Sequence, residues 1–279
     1  MKTGIESAYY RVKGIKHIDY QNIKEHGFDC VDYGELCDIK SEGFSVKEET
    51  FRQMMCKEKK CADDAGIEIW QIHAPWPVDD TTEEKRKENV RHMKRAILGC
   101  SLLGSSYFVV HPVMPFGWNV ESDSVFAREI NREFLVELTE YARPLGVTIC
   151  LENMPFTECR LSYTREIVEF VKELNIDNLK ICLDTGHANI CKEAAGEMVR
   201  LCGSNLATLH IHDNGGYADE HAYPYSRTID WVDFKKALKD VGFQGCLSLE
   251  CHGTKDGCPS YIREEVLKML CRIAKSLEE

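Results

Sequence analysis

Residues 179–187 read Leu-Lys-Ile-Cys-Leu-Asp-Thr-Gly-His, and residues 147–153 upstream read Val-Thr-Ile-Cys-Leu-Glu-Asn. Each is a short apolar run that stops at an acid. Runs of this length, bounded by polar turns, predict buried strands. The same form recurs outward along the chain at 3–7, 28–33, 67–73, 107–111, 206–212 and 246–251, which makes eight. Between them lie longer helical patterns. Residues 83–103 carry Val90, Met93, Ile97 and Leu98 near a 3.6-residue period. The stretches 125–145 and 234–241 close at Gly146 and Gly242, where helix C-caps fall. Strands alternating with helices imply right-handed crossovers and a parallel sheet. Eight such units in 279 residues predict an α/β fold, a closed (β/α)8 barrel forming a single domain over 1–279. An open doubly wound sheet would want a glycine-rich turn after its first strand, and Ser7-Ala8-Tyr9-Tyr10 has none.

Composition narrows the class further. With 43% apolar and 29% charged residues the chain reads as globular and not as disordered. No apolar run approaches the roughly 18 residues of a membrane helix, and the N-terminus has no apolar signal core. The expectation is a cytoplasmic protein. There are fourteen cysteines but no Cys-x-x-Cys pair. Cys150, Cys182 and Cys246 sit inside apolar runs, so they read as small buried hydrophobes within a reduced thiol population. A net charge of −11 argues against non-specific binding to nucleic acid or anionic lipid.

The chemistry gathers at the strand ends. His73, His111, Glu152, Asp184, His210 and Glu250 close the third to eighth strands in order. Their mean spacing is about 35 residues, the repeat of an eightfold barrel of this length. All strand ends of a parallel barrel open on one face, so the six side chains are expected to converge. A single histidine or acid in such a place is usually a hydrogen-bonded structural residue or a helix cap. Six in consecutive register are not explained that way. Glu152, Asp184, His210 and Glu250 are therefore candidate ligands of a divalent ion, for which Mn²⁺, Mg²⁺, Co²⁺ and Zn²⁺ suit three carboxylates and one imidazole. His73 and His111 stand open between ligation and substrate contact. So do three residues of the adjoining loops: His187, past the Gly186 turn, and the Asp219-x-His221 pair.

The segments Leu151-Glu152-Asn153, Leu183-Asp184-Thr185-Gly186-His187 and His210-Ile211-His212-Asp213, with the final Glu250, resemble the xylose isomerase-like TIM-barrel superfamily. His73 and His111 extend the likeness back to the third strand. That superfamily contains sugar and sugar-phosphate isomerases and epimerases and the endonuclease IV type of abasic-site nucleases. In the epimerase-like branch the resemblance implies one metal on Glu152, Asp184, His210 and Glu250, with His187 and Glu158 touching substrate. In the endonuclease-like branch it implies up to three zinc ions, with His73, His111, His187, Asp219 and His221 joining those four. The stretch Asp213-Asn214-Gly215-Gly216 through Trp231 is closer to the isomerases and epimerases. It departs from them at Tyr225-Ser226-Arg227, where they usually carry a Pro-Gly-x-Gly turn.

The mouth loops decide between the branches. Residues 74–82 and 112–124 contain Asp79, Asp80, Glu121 and Asp123 and no lysine or arginine, whereas DNA-binding faces cluster basic residues. The expected activity is metal-dependent isomerisation or epimerisation of a small carbohydrate, with Glu152 and Glu250 as the proton-transfer pair. The alternatives are a zinc phosphodiesterase acting on abasic DNA and a non-catalytic sugar-binding barrel. Trp76 and Trp118 are the aromatic residues expected against the sugar. A Schiff-base aldolase is disfavoured because Lys180 begins its strand, at the opposite end of the barrel. A homo-oligomer is compatible with everything above.

Overall fold

The alternating pattern folds as it reads. The computed structural model describes residues 1–11, 17–117, 123–251 and 259–278. Eight strands, β1 (Lys2–Glu6), β2 (Cys30–Tyr33), β3 (Glu68–His73), β4 (Tyr107–Val110), β5 (Thr148–Glu152), β6 (Leu179–Asp184), β7 (Leu206–His210) and β8 (Cys246–Leu249), form one sheet in the order β7-β6-β5-β4-β3-β2-β1-β8. Every ladder pairing in it is parallel. β7 and β8 close the ring through a single bridge, Ile211 to Leu249. There Ile211 N–H donates to the Ser248 carbonyl at 2.8 Å and Glu250 N–H to the Ile211 carbonyl at 3.0 Å.

Among the described residues ten α-helices surround the strands: α1 (Tyr20–His26), α2 (Glu42–Ser45), α3 (Glu48–Ala65), α4 (Glu83–Leu102), α5 (Ser124–Ala142), α6 (Thr164–Leu174), α7 (Thr185–Ile190), α8 (Ala195–Cys202), α9 (Trp231–Asp240) and α10 (Ser260–Ser276). Five of them, α1, α4, α5, α7 and α9, start on a side-chain cap. Thr82 caps α4, Asp123 accepts from Val125 and Phe126 N–H at α5, and Asp230 accepts from Val232 and Asp233 N–H at α9. The Asp230 cap begins α9 three residues before the start that the apolar pattern indicates. Gly146 and Gly242 terminate their segments with φ of 70° and 66°, a conformation that favours glycine. No helix among the described residues is long and apolar enough to cross a membrane.

The period of two along each strand sorts the side chains into two layers. Ile149, Leu151, Ile181, Leu183, Leu247 and Leu249 face outward and join the main helix-packed core. The other parity faces the barrel axis. Val109, Cys150 and Cys182 form a separate apolar cluster there, and each is followed two residues later by His111, Glu152 or Asp184. Thr208 and Ser248 stand in the same relation to His210 and Glu250, and both are buried. Small side chains fill the axis so that larger polar ones can meet above them. This is why Cys150 and Cys182 are buried, as their apolar setting indicates.

Candidate active site

The strand-end residues do converge. One oxygen or nitrogen each from Glu152, Asp184, His210 and Glu250 lie within 4.8 Å of one another, on the ends of β5, β6, β7 and β8. Glu152, Asp184 and His210 are at most 1% exposed. His210 Nδ1 lies 2.8 Å from Glu152 Oε1 and 3.4 Å from Glu250 Oε2.

The motif residues between these four serve as their mounts. Asn153 grips the Asp184 backbone twice, accepting from Asp184 N–H at 2.8 Å and donating to its carbonyl at 2.9 Å. Asp184 caps the short α7 by accepting from His187 N–H at 2.6 Å, which brings His187 back over the site. Thr185 ties this turn to the end of β7 by donating to the His212 carbonyl at 2.7 Å. A side chain at Gly186 would collide with the His212 ring, whose Cε1 lies 2.0 Å from the position of a Cβ.

Two further ligand groups flank the first. Donor atoms of His73, His111 and Glu152 cluster on one side, and those of His187, His212, Asp219 and His221 on the other. Three of these histidines are held in a common way. Nδ1 of His73, His187 and His221 lies 2.7 to 2.8 Å from the backbone carbonyls of Ala74, Asn153 and Glu250. A carbonyl accepting from Nδ1–H fixes the ring's orientation and turns Nε2 toward the site. In His187 and His221 that nitrogen meets Asp219 Oδ2, at 3.3 and 3.1 Å.

Asp213 holds the loop that carries Asp219 and His221. Its fully buried carboxylate accepts from Asn214 and Ile229 N–H on one oxygen, and from Arg227 N–H and the Trp231 indole on the other. Tyr225 takes a left-handed φ of 71° in this turn, a conformation that favours glycine.

Charge follows the geometry. Burial would push the Glu152 carboxyl up, but the His210 and His111 imidazoles outweigh it and hold the group well below the usual carboxylate range. Burial also opposes protonation of His187 and His221. Asp184 and Asp219 nevertheless raise His187 to about 10, and Asp219 and Glu250 raise His221 to about 9. In the metal-free protein both contacts are complete below the ordinary histidine value of 6.5 and are lost as pH rises through 9 to 10. Chelator-treated protein is therefore expected to show a falling melting temperature from about pH 6.5 to 10. A flat thermal-melt series over that range would contradict these charge states.

His212 and Asp32 are site residues that the strand-end pattern did not single out. His212 is legible in retrospect, two residues after His210 on the same strand parity. Trp76 packs edge-on against His111 at the rim, with centroids 4.3 Å apart. Glu158 is exposed on the loop after β5, outside the ligand clusters. Trp118 lies outside the described residues. The acidity of the 74–82 loop is largely spent locally. Asp79 pairs with Lys85, and the buried Asp80 accepts from Asn89 at 2.6 Å.

A family model for the xylose isomerase-like TIM barrel matches residues 20–273. The chain belongs to that family. An uncharacterised protein of Methanocaldococcus jannaschii is 31% identical over 96% of this chain and 88% of its own length. The D-psicose 3-epimerase of Ruminiclostridium cellulolyticum is 27% identical over 69% of this chain and 66% of its own, just under two thirds of that relative. Among solved structures, a D-tagatose 3-epimerase-like protein superposes with a TM-score of 0.76 at 28% identity, covering 99% of both chains. The IOLI protein, solved with a bound zinc atom, shares the fold at a TM-score of 0.74 and 20% identity, over 99% of this chain and 96% of its own.

Proposed function

We propose that this chain is a divalent-metal-dependent isomerase or epimerase of a sugar or sugar phosphate, moving a proton at a carbon next to a carbonyl. The observation that carries this reading is the Glu152, Asp184, His210 and Glu250 quartet, with its donor atoms within 4.8 Å of one another. Three carboxylates so close repel one another, and burial adds a desolvation cost to each charge. A divalent cation relieves both, so the donor set fits Mn²⁺, Mg²⁺, Co²⁺ or Zn²⁺. When bound, the ion would supply Lewis acidity toward the substrate's carbonyl and neighbouring hydroxyl.

The chain's own residues do the rest. Glu152 from β5 and Glu250 from β8 approach the site from different strands, flanking His210. One carboxylate takes the proton from the carbon beside the carbonyl, and the electron pair moves onto the carbonyl oxygen. The other, entering the step as the carboxylic acid, gives its proton to carbon, on the opposite face for epimerisation, and leaves ionised; exchange with solvent restores both groups. His187 is positioned to contact a substrate hydroxyl, and Trp76 offers a flat apolar face to a sugar's C–H side at the rim. The sugar-epimerase relatives support this substrate class.

A second reading, a zinc phosphodiesterase, is favoured by the two flanking histidine clusters. One pair of measurements separates them. Elemental analysis of protein purified without added metal is expected to give about one ion per chain. Incubation with a panel of ketohexoses and inososes in D₂O is expected to place deuterium on the carbon beside the carbonyl. No exchange with any of the four metals would sink the isomerase reading. Three zinc ions with nicking of abasic DNA would establish the second.

A further inference from the structure

A buried carboxyl group beneath the site belongs to a strand that supplies no ligand. Asp32, on β2, is 3% exposed and lies across the barrel axis from β7. Its Oδ2 accepts from His210 Nε2–H and from Gln71 Nε2–H, both at 2.8 Å. Gln71 reaches it through an irregularity in the β2–β3 pairing. Val31 pairs with Ile69 but Asp32 pairs with Gln71, so Trp70 is skipped. That shift keeps Gln71 on the axial side with Asp32 and leaves it fully buried.

His210 has two ring nitrogens, and only one can serve the quartet. Nδ1 faces Glu152 and Glu250, while Nε2 faces Asp32. An acceptor at Nε2 keeps the proton there and turns the Nδ1 lone pair toward the ligand cluster. A carboxylate in that role also makes the imidazole a stronger ligand. The ring is fixed from a third side by His73, stacked on it at 5.6 Å and 8°.

We propose that Asp32, braced by Gln71, is a positioning residue that fixes the tautomer and orientation of His210 for metal ligation through Nδ1. This rests on the reading of the quartet as a metal site. It assigns a role to β2, which lies outside the run of strand-end residues from β3 to β8.

The test uses Co²⁺ as probe on the full chain, with wild type, Asp32→Asn and Asp32→Ala. Affinity is measured by competition with a chromophoric chelator, and ligand geometry by the visible d–d bands. Asp32→Ala is expected to weaken Co²⁺ binding about 10- to 100-fold, the usual cost of removing such an outer partner, and to change the spectrum. Asp32→Asn keeps the shape without the charge, so it carries the test if the alanine variant does not fold. It is expected to lose about tenfold, with a smaller spectral change. Wild-type affinity and spectrum in Asp32→Asn would overturn the proposal even if the quartet binds metal. A wild-type protein that takes up no Co²⁺ would overturn the metal reading and this proposal together.

Discussion

Glu152→Gln and Glu250→Gln are each expected to lower turnover about 10²- to 10⁴-fold, the range for a lost general acid or base. Both substitutions keep the side chain's length and remove its charge. Metal affinity should fall as well, because each residue contributes a donor atom to the quartet. The two losses separate under saturating metal. If the carboxylates were ligands alone, excess metal would restore most of the activity; as proton carriers they leave it depressed. Deuterium exchange from D₂O into substrate gives a sharper readout. A variant lacking the base for one epimer should fail to exchange that epimer's proton while still exchanging the other's. Near-normal exchange in both variants at saturating metal would remove Glu152 and Glu250 from the chemistry.

Asp213→Ala is expected to cost on the order of 3 kcal/mol or more of stability, since it removes the partner of four donors at a fully buried position. For a chain of this size that corresponds to a fall in melting temperature of roughly 6 °C or more. Asn is not a rescue here. Its amide nitrogen would face two N–H groups in place of an acceptor. The functional consequence extends beyond stability. Asp213 ties down both ends of the 214–230 loop, so its loss should release Asp219 and His221 from the site. Activity should then fall at temperatures where the barrel is still folded by far-UV circular dichroism. A variant with wild-type melting behaviour and wild-type turnover would show that the loop is held by other contacts.

Much of this was legible in the sequence because the barrel couples two periods. The two-residue strand period puts Cys150 beneath Glu152 and Cys182 beneath Asp184, and the roughly 35-residue repeat stacks successive strand ends in one layer. An acid or histidine ending each apolar run therefore reports its own position. What stayed hidden does not obey either period. Asp32 lies mid-barrel and acts across the axis, and its pairing with Gln71 depends on the skipped Trp70, which no local pattern announces. His73, His187 and His221 were visible, but not that their Nδ1 atoms are tied to backbone carbonyls so that Nε2 faces the site. Helix α9 begins early because a capping side chain, and not the apolar stripe, sets its start. The charges of the loop 74–82 are answered by Lys85 and Asn89, in the first two turns of α4, a pairing the loop's own sequence does not announce.

The ring of strands is stitched firmly everywhere except at its final joint, where one bridge links Ile211 to Leu249. His210 stands on one side of that joint and Glu250 on the other. An ion gripping both would act as a clasp on the barrel, so that filling the site and shutting the ring become a single equilibrium. Gaping at this joint would separate the two donors, and their release would in turn loosen the joint.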